Sequence, residues 1–167
     1  MCHKMSEKGS ESVAKSTQAM AGVLVGRFDH ALDPKKRLTI PSGWRLVLGN
    51  PEYVYAMPDP RERCVNIMPK DEMDAMLAQL RKKALFDPAQ SKLLQVIGAN
   101  SDLLMLDSQG RIRIADKLLR FANLTTTVAM VGSVRMIKLW DPQALAPEGE
   151  VDQDSLSAAL SAAGWCG

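Results

Sequence analysis

Apolar positions along this chain follow two periods. Between Pro69 and Leu85 they recur at helical spacing, with Met73, Met76, Leu77, Leu80 and Ala84 on one side, which predicts an amphipathic helix. Asp71, Glu72 and Asp74 crowd its first turn and Arg81, Lys82 and Lys83 its last, a distribution that complements the helix dipole. Asp87-Pro88, a capping residue followed by proline at the first helical position, opens a second helix carrying Leu93, Leu94 and Ile97. Elsewhere the apolar residues alternate or run in short β-rich bursts: YVYAMP and CVNIMP before the helices, TVAMVG and VRMIKLW after them. A further short helix is expected at Asp141-Pro142, and Leu156 and Leu160 suggest a marginal one after Val151.

The two β-rich regions are copies of one pattern. FDHALDPKKRLTIP is echoed by LLMLDSQGRIRIA, so that Asp33 matches Asp107 and Arg37 matches Arg111, both 74 residues apart. Each motif leads into alternating apolar residues, Leu38 and Ile40 or Ile112 and Ile114. A short amphipathic stretch follows (Ser42 to Leu48; Asp116 to Ala122), and then the β-rich pair. A repeat of this length and order sets the architecture before any local assignment does. One copy of about 50 residues would bury too little surface to stand alone, so the two must share a core. The expectation is a mainly β fold with α-helices: two tandem repeats forming a pseudo-two-fold, β-barrel-like unit flanked by helices. The boundaries fall at 1–22 for a disordered extension, 23–68 for the first repeat, 69–99 for a helical connector, 100–145 for the second repeat and 146–167 for an acidic tail.

Composition narrows the class. The 167 residues are 46% hydrophobic and 24% charged, as in soluble globular proteins, and no apolar run approaches the roughly 18 residues of a membrane span. A cytoplasmic protein without a membrane partner is expected. Cys2 and Cys166 lie at the ends and Cys64 within a strand pattern, which is no disulfide framework. The net charge of +2 conceals an asymmetry: 21 Lys/Arg face 14 Asp/Glu up to Trp140, while Asp141 to Gly167 holds five acids and no base. A basic body with an acidic end suits a polyanionic partner.

The repeated motif carries the candidate chemistry. Asp33-Pro34-Lys35-Lys36-Arg37 and Asp107-Ser108-Gln109-Gly110-Arg111 are turns that open strands, and the two-residue period sets Arg37, Arg111 and Arg113 opposite the core-facing Leu38, Ile112 and Ile114. Each Asp is spaced to cap turn amides or to pair with its Arg, and an oriented guanidinium suits phosphate or guanine edges. Lys35, Lys36, Arg37, Arg111 and Arg113 would thus be presented on one side as the candidate binding set, with Asp33 and Asp107 orienting the loops. The competing account is that each Asp–Arg pair only holds its turn in register.

GRFDHALDPKKRLTIPSGWR resembles the opening motif of the MraZ family, and LDSQGRIRIADKLLRFANLTTTVAMVGSVRMIKLWDP is similar to its second half, including the closing Trp-Asp-Pro. The likeness spans about Val23 to Leu145. It implies a swapped-hairpin AbrB-type fold and binding of double-stranded DNA through the motif loops. It also implies a ring-shaped, octamer-like homo-oligomer, nucleoid association, and regulation, by repression, of cell-division and cell-wall genes through repeated DNA boxes. The alternative is an antitoxin-like interaction module with a protein partner. Lys36 stands where the family's usual glycine, Gly110 in the second copy, would be, and lysine avoids positive φ, so a different first turn is expected. Before the second motif, Lys92 and Gln95 replace the family's usual arginine.

No catalytic role or cofactor is expected. No nucleophile–base arrangement accompanies Cys64, whose ordinary role is a small buried thiol. Cys2-His3 lacks spaced partners for a metal, His30 reads as a packing residue, and the glycines have no phosphate-loop spacing.

Overall fold

The computed structural model describes residues 22–165; residues 1–21, with Cys2 and His3, and residues 166–167, with Cys166, lie outside the described residues. Strand β1 (Arg27–Ala31) and strand β2 (Arg37–Thr39) enclose the first motif, followed by helix α1 (Ser42–Val47) and the hairpin β3 (Tyr53–Pro58) and β4 (Val65–Met68). Helices α2 (Lys70–Ala84) and α3 (Pro88–Asn100) lead into β5 (Asp102–Met105), β6 (Arg111–Arg113), α4 (Asp116–Phe121), β7 (Thr127–Ser133) and β8 (Met136–Trp140). The helix expected at Asp141-Pro142 is a single 3-10 turn, Pro142–Ala144, and the acidic tail carries helix α5 (Gln153–Ala162).

Local chemistry explains the helix ends. Asp87 accepts a hydrogen bond from the Ala89 amide at 2.9 Å and Pro88 needs no partner for its nitrogen, so α3 starts there. Both short helices stop at a left-handed residue, Gly49 (φ 84°) after α1 and Asn123 (φ 54°) after α4. The following amides, Asn50 and Leu124, donate back to Arg45 and Leu119 at 2.8 and 2.9 Å, which satisfies the orphan carbonyls.

Six strands form one antiparallel sheet in the order β1-β7-β8-β4-β3-β5, and β2 pairs with β6 in a separate two-stranded ribbon. Shifting each strand by the motif offset converts that order into its own reverse. The first strand of each half pairs with the hairpin of the other: β1 with β7 (Arg27↔Val131) and β5 with β3 (Tyr53↔Met105). The sheet is open, with β1 and β5 as its edges, rather than the barrel-like closure the repeat suggested.

The core is common to both halves. Leu38, Ile40, Trp44 and Val54 from the first meet Ile112, Ile114, Leu118 and Val128 from the second in one buried cluster. A smaller cluster of Met57, Met68 and Met73 fastens α2 to the sheet, with Met76, Leu77 and Ile97 against it. Leu93 and Val96 on α3 remain exposed. Among the described residues, no helix is long and apolar enough to cross a membrane.

Candidate nucleic-acid interface

The ribbon of β2 and β6 brings the two motifs side by side. Leu38 lies opposite Ile112, both buried, which turns the alternate residues outward: Arg37 faces Arg113 and Thr39 faces Arg111. Ile40 donates its amide to the Gly110 carbonyl and Ile114 donates to Lys36, both at 2.9 Å, so each loop is also tied to the strand of the other half.

Within each loop the aspartate acts on both the turn and the arginine. Asp33 Oδ1 accepts from the Arg37 amide at 2.8 Å and Oδ2 from Arg37 Nε at 2.7 Å. Asp107 repeats this, with Oδ1 accepting from the Gln109 and Arg111 amides at 2.9 Å and Oδ2 from Arg111 Nε at 2.7 Å. The two readings left open for these aspartates, capping and ion pairing, are thus both realised. Desolvation raises the Asp33 pKa, but hydrogen bonds from the Arg37 amide and guanidinium outweigh it and hold the carboxyl below its ordinary value. The Arg111 amide does most to lower Asp107, against some desolvation.

Each guanidinium is bonded through Nε. Among the described residues, the terminal nitrogens of Arg37 and Arg111 have no protein acceptor, while Lys35 and Arg113 are exposed and form no salt bridge. Lys36 differs from the rest of the predicted set, because its ammonium is bonded to Asp116 at the start of α4. The expectation of a different first turn is overturned: Lys36 adopts φ 62° and Gly110 φ 75°, the same left-handed geometry. The Lys36 amide bonds Asp33, its carbonyl receives the Ile114 amide and its side chain reaches Asp116, and these three anchors hold lysine in a conformation it rarely adopts.

One cation at the loops escaped the sequence reading. Arg45, on α1, donates from Nε to the Ile40 carbonyl at 3.1 Å and lies across Gly110. The motif offset pairs Arg45 with Leu119, so a cation without a counterpart in the other half was the available signal.

Other candidates lie elsewhere. Asp59, Glu62 and Cys64 bring potential metal-ligand atoms within 4.8 Å of one another, but Lys138 Nζ already bonds Asp59 at 3.2 Å and Glu62 at 3.1 Å. Burial pushes the Cys64 thiol up to about 12, so at neutral pH it is a protonated core residue. His30 is exposed, its Nδ1 2.9 Å from the Ala31 carbonyl.

Comparison with known proteins assigns the lineage. Residues 98–147 match the family model described as "MraZ protein, putative antitoxin-like". The chain is 31% identical over 135 residues to the "Transcriptional regulator MraZ" of Mycolicibacterium gilvum, covering 80% of this chain and 92% of that one. It is 28% identical over 137 residues to the protein of that name from Mycolicibacterium smegmatis (82% and 94%), and 26% over 129 residues to that of Thermomicrobium roseum (77% and 89%). The chain belongs to the MraZ family, which is not a family of enzymes.

Proposed function

We propose that this protein is a sequence-specific DNA-binding transcriptional regulator, a cytoplasmic, nucleoid-associated repressor of cell-division and cell-wall genes, with Lys35, Lys36, Arg37, Arg111 and Arg113 as its DNA-facing cations. One observation carries the reading: two arginines, each clamped through Nε by its own aspartate, keep terminal nitrogens that have no acceptor among the described residues on the outward face of a single ribbon. Pre-orientation of that kind suits bidentate contact to phosphate or guanine and lowers the entropy lost on binding. Stability alone argues the other way, because Arg37 lies directly opposite Arg113 and like charges facing each other across strands are unfavourable. The relatives' printed name, transcriptional regulator, points in the same direction. On this reading the halves are AbrB-type swapped hairpins, and copies of the chain assemble into an octamer-like ring whose many loops add modest affinities on repeated DNA boxes.

Titrating a labelled duplex with salt tests it. Binding should weaken with a log–log slope of roughly −0.9 per phosphate neutralised. Arg37→Ala and Arg111→Ala should each flatten that slope while melting near the parent temperature. A flat salt dependence in the parent, or unaltered binding by both variants, rejects the reading. It would favour a protein partner instead, for which the apolar groove lined by Met57, Leu93, Val96, Ile97 and Phe121 is the available surface.

A further inference from the structure

The two loops share a backbone but not an environment. On the first, the side chain of the left-handed residue, Lys36, is drawn away to Asp116. On the second, Gly110 has no side chain, and the guanidinium of Arg45 occupies the space above it: a methyl group added to Gly110 would fall 2.5 Å from Arg45 Nε and Cζ and 2.6 Å from Cδ. Gly110 is buried although it forms part of an exposed turn, and Arg45 is its cover. The glycine takes φ 75° without the anchors that Lys36 needs, and its lack of a Cβ leaves the space that the guanidinium fills.

Arg45 is held like the motif arginines. Nε is spent on the Ile40 carbonyl at 3.1 Å, and among the described residues its terminal nitrogens have no acceptor and it forms no salt bridge. Beside the first loop lie Lys35, Lys36, Arg37 and, across the ribbon, Arg113, with the carboxylates of Asp33 and Asp116. Beside the second lie Arg111, paired with Asp107, and Arg45, drawn over Gly110 from α1. Arg45 is therefore a cation that the first half adds to the loop of the second.

We propose that Arg45 forms, with Arg111, an additional DNA-phosphate-binding site over Gly110, supplied by α1 of the first half to the loop of the second; this rests on the DNA-binding function proposed above. A phosphate oxygen approaching over the Arg45 cover meets the uncommitted edges of two guanidinium groups that come from different elements, α1 and the second loop. Because each guanidinium is fixed at Nε, the site is preformed.

Fluorescence anisotropy with a labelled mixed-sequence duplex, on the full chain across a salt series, tests it, since phosphate contacts do not depend on sequence. Arg45→Gln keeps an amide donor for the Ile40 carbonyl and a stem over Gly110 but removes the charge. It should flatten the log–log slope by roughly 0.9 per phosphate lost, worth about a 3-fold smaller loss of affinity between 50 and 200 mM salt. Arg45→Lys should restore most of the slope. Gly110→Ala should weaken binding in the parent by displacing the guanidinium, and have a smaller effect when combined with Arg45→Gln. If Arg45→Gln keeps the parental slope while Arg111→Ala does not, Arg45 is only a structural cover for the loop and the proposal falls alone. If the parent binds the duplex without salt dependence, the DNA-binding reading falls and takes this one with it.

Discussion

Asp59 offers a stability test worked directly from geometry. Its Oδ1 accepts from the Arg61 and Glu62 amides at 2.8 and 3.0 Å, and its Oδ2 from Asn66 Nδ2 at 2.9 Å and Lys138 Nζ at 3.2 Å, so one carboxylate organises the β3–β4 turn and ties it to β8. Desolvation works against ionisation, but these four donors outweigh it and lower the pKa from 3.8 to about 2. A shift of that size corresponds to at most about 2 kcal/mol. Solvent screening at the rim reduces it to about 1 kcal/mol. Because the folded value lies below the unfolded one, this contribution is complete above about pH 5 and is lost as pH falls toward 2. Asp59→Asn removes the charge and sets an amide donor against Lys138 and Asn66. Urea unfolding at neutral pH should show the variant less stable by about 1–2 kcal/mol. The gap should narrow steadily between pH 5 and about pH 2 as the parental carboxylate protonates. Other aspartates also titrate there, but they cancel in the parent-minus-variant difference. A gap that is constant with pH, or absent at neutral pH, refutes the argument.

Leu38→Ala, at a fully buried ribbon position, should cost about 2–5 kcal/mol by denaturant midpoint, in contrast to its outward neighbour Arg37. Val134 sits at φ 62°, rare for a β-branched residue, and is 56% exposed; Val134→Asn should raise the melting temperature by relieving about 1 kcal/mol of strain, and a lower value counts against the strain. Every described residue from 147 onward is exposed, so deleting 147–167 should leave melting unchanged. The same deletion should strengthen DNA binding at low salt, an advantage that fades as the Debye length shrinks to about 8 Å; equal affinity at every salt would show the acidic tail to be inert toward DNA.

The sequence displayed what depends on local order. The outward phase of Arg37, Arg111 and Arg113 followed from two-residue alternation, and α2 and α3 from apolar stripes and the Asp87-Pro88 start. Partner choice between distant strands leaves no local trace: nothing near Arg27 announces Val131, so the open sheet edges at β1 and β5 were not legible. Lys36 was misjudged because propensity describes an isolated residue, whereas its conformation is fixed by Asp33, Ile114 and Asp116, two of them in the other half. Arg45 was missed for a related reason, since its place over Gly110 depends on α1 folding back across the loop of the other repeat.

The pairing of β1 with β7 also bears on how the chain comes to exist in time. Arg27 meets Val131, and Leu38 meets Ile112, so neither the sheet edge nor the ribbon can form until the second half has left the ribosome. A nascent chain that has emerged only as far as α3 holds β1 and β2 with no strands to receive them. Contacts so distant in sequence slow folding, and unpaired edges invite the wrong neighbour. Synthesis is thus the interval in which this protein is most exposed to aggregation, and its rate of maturation is set by the last strands made.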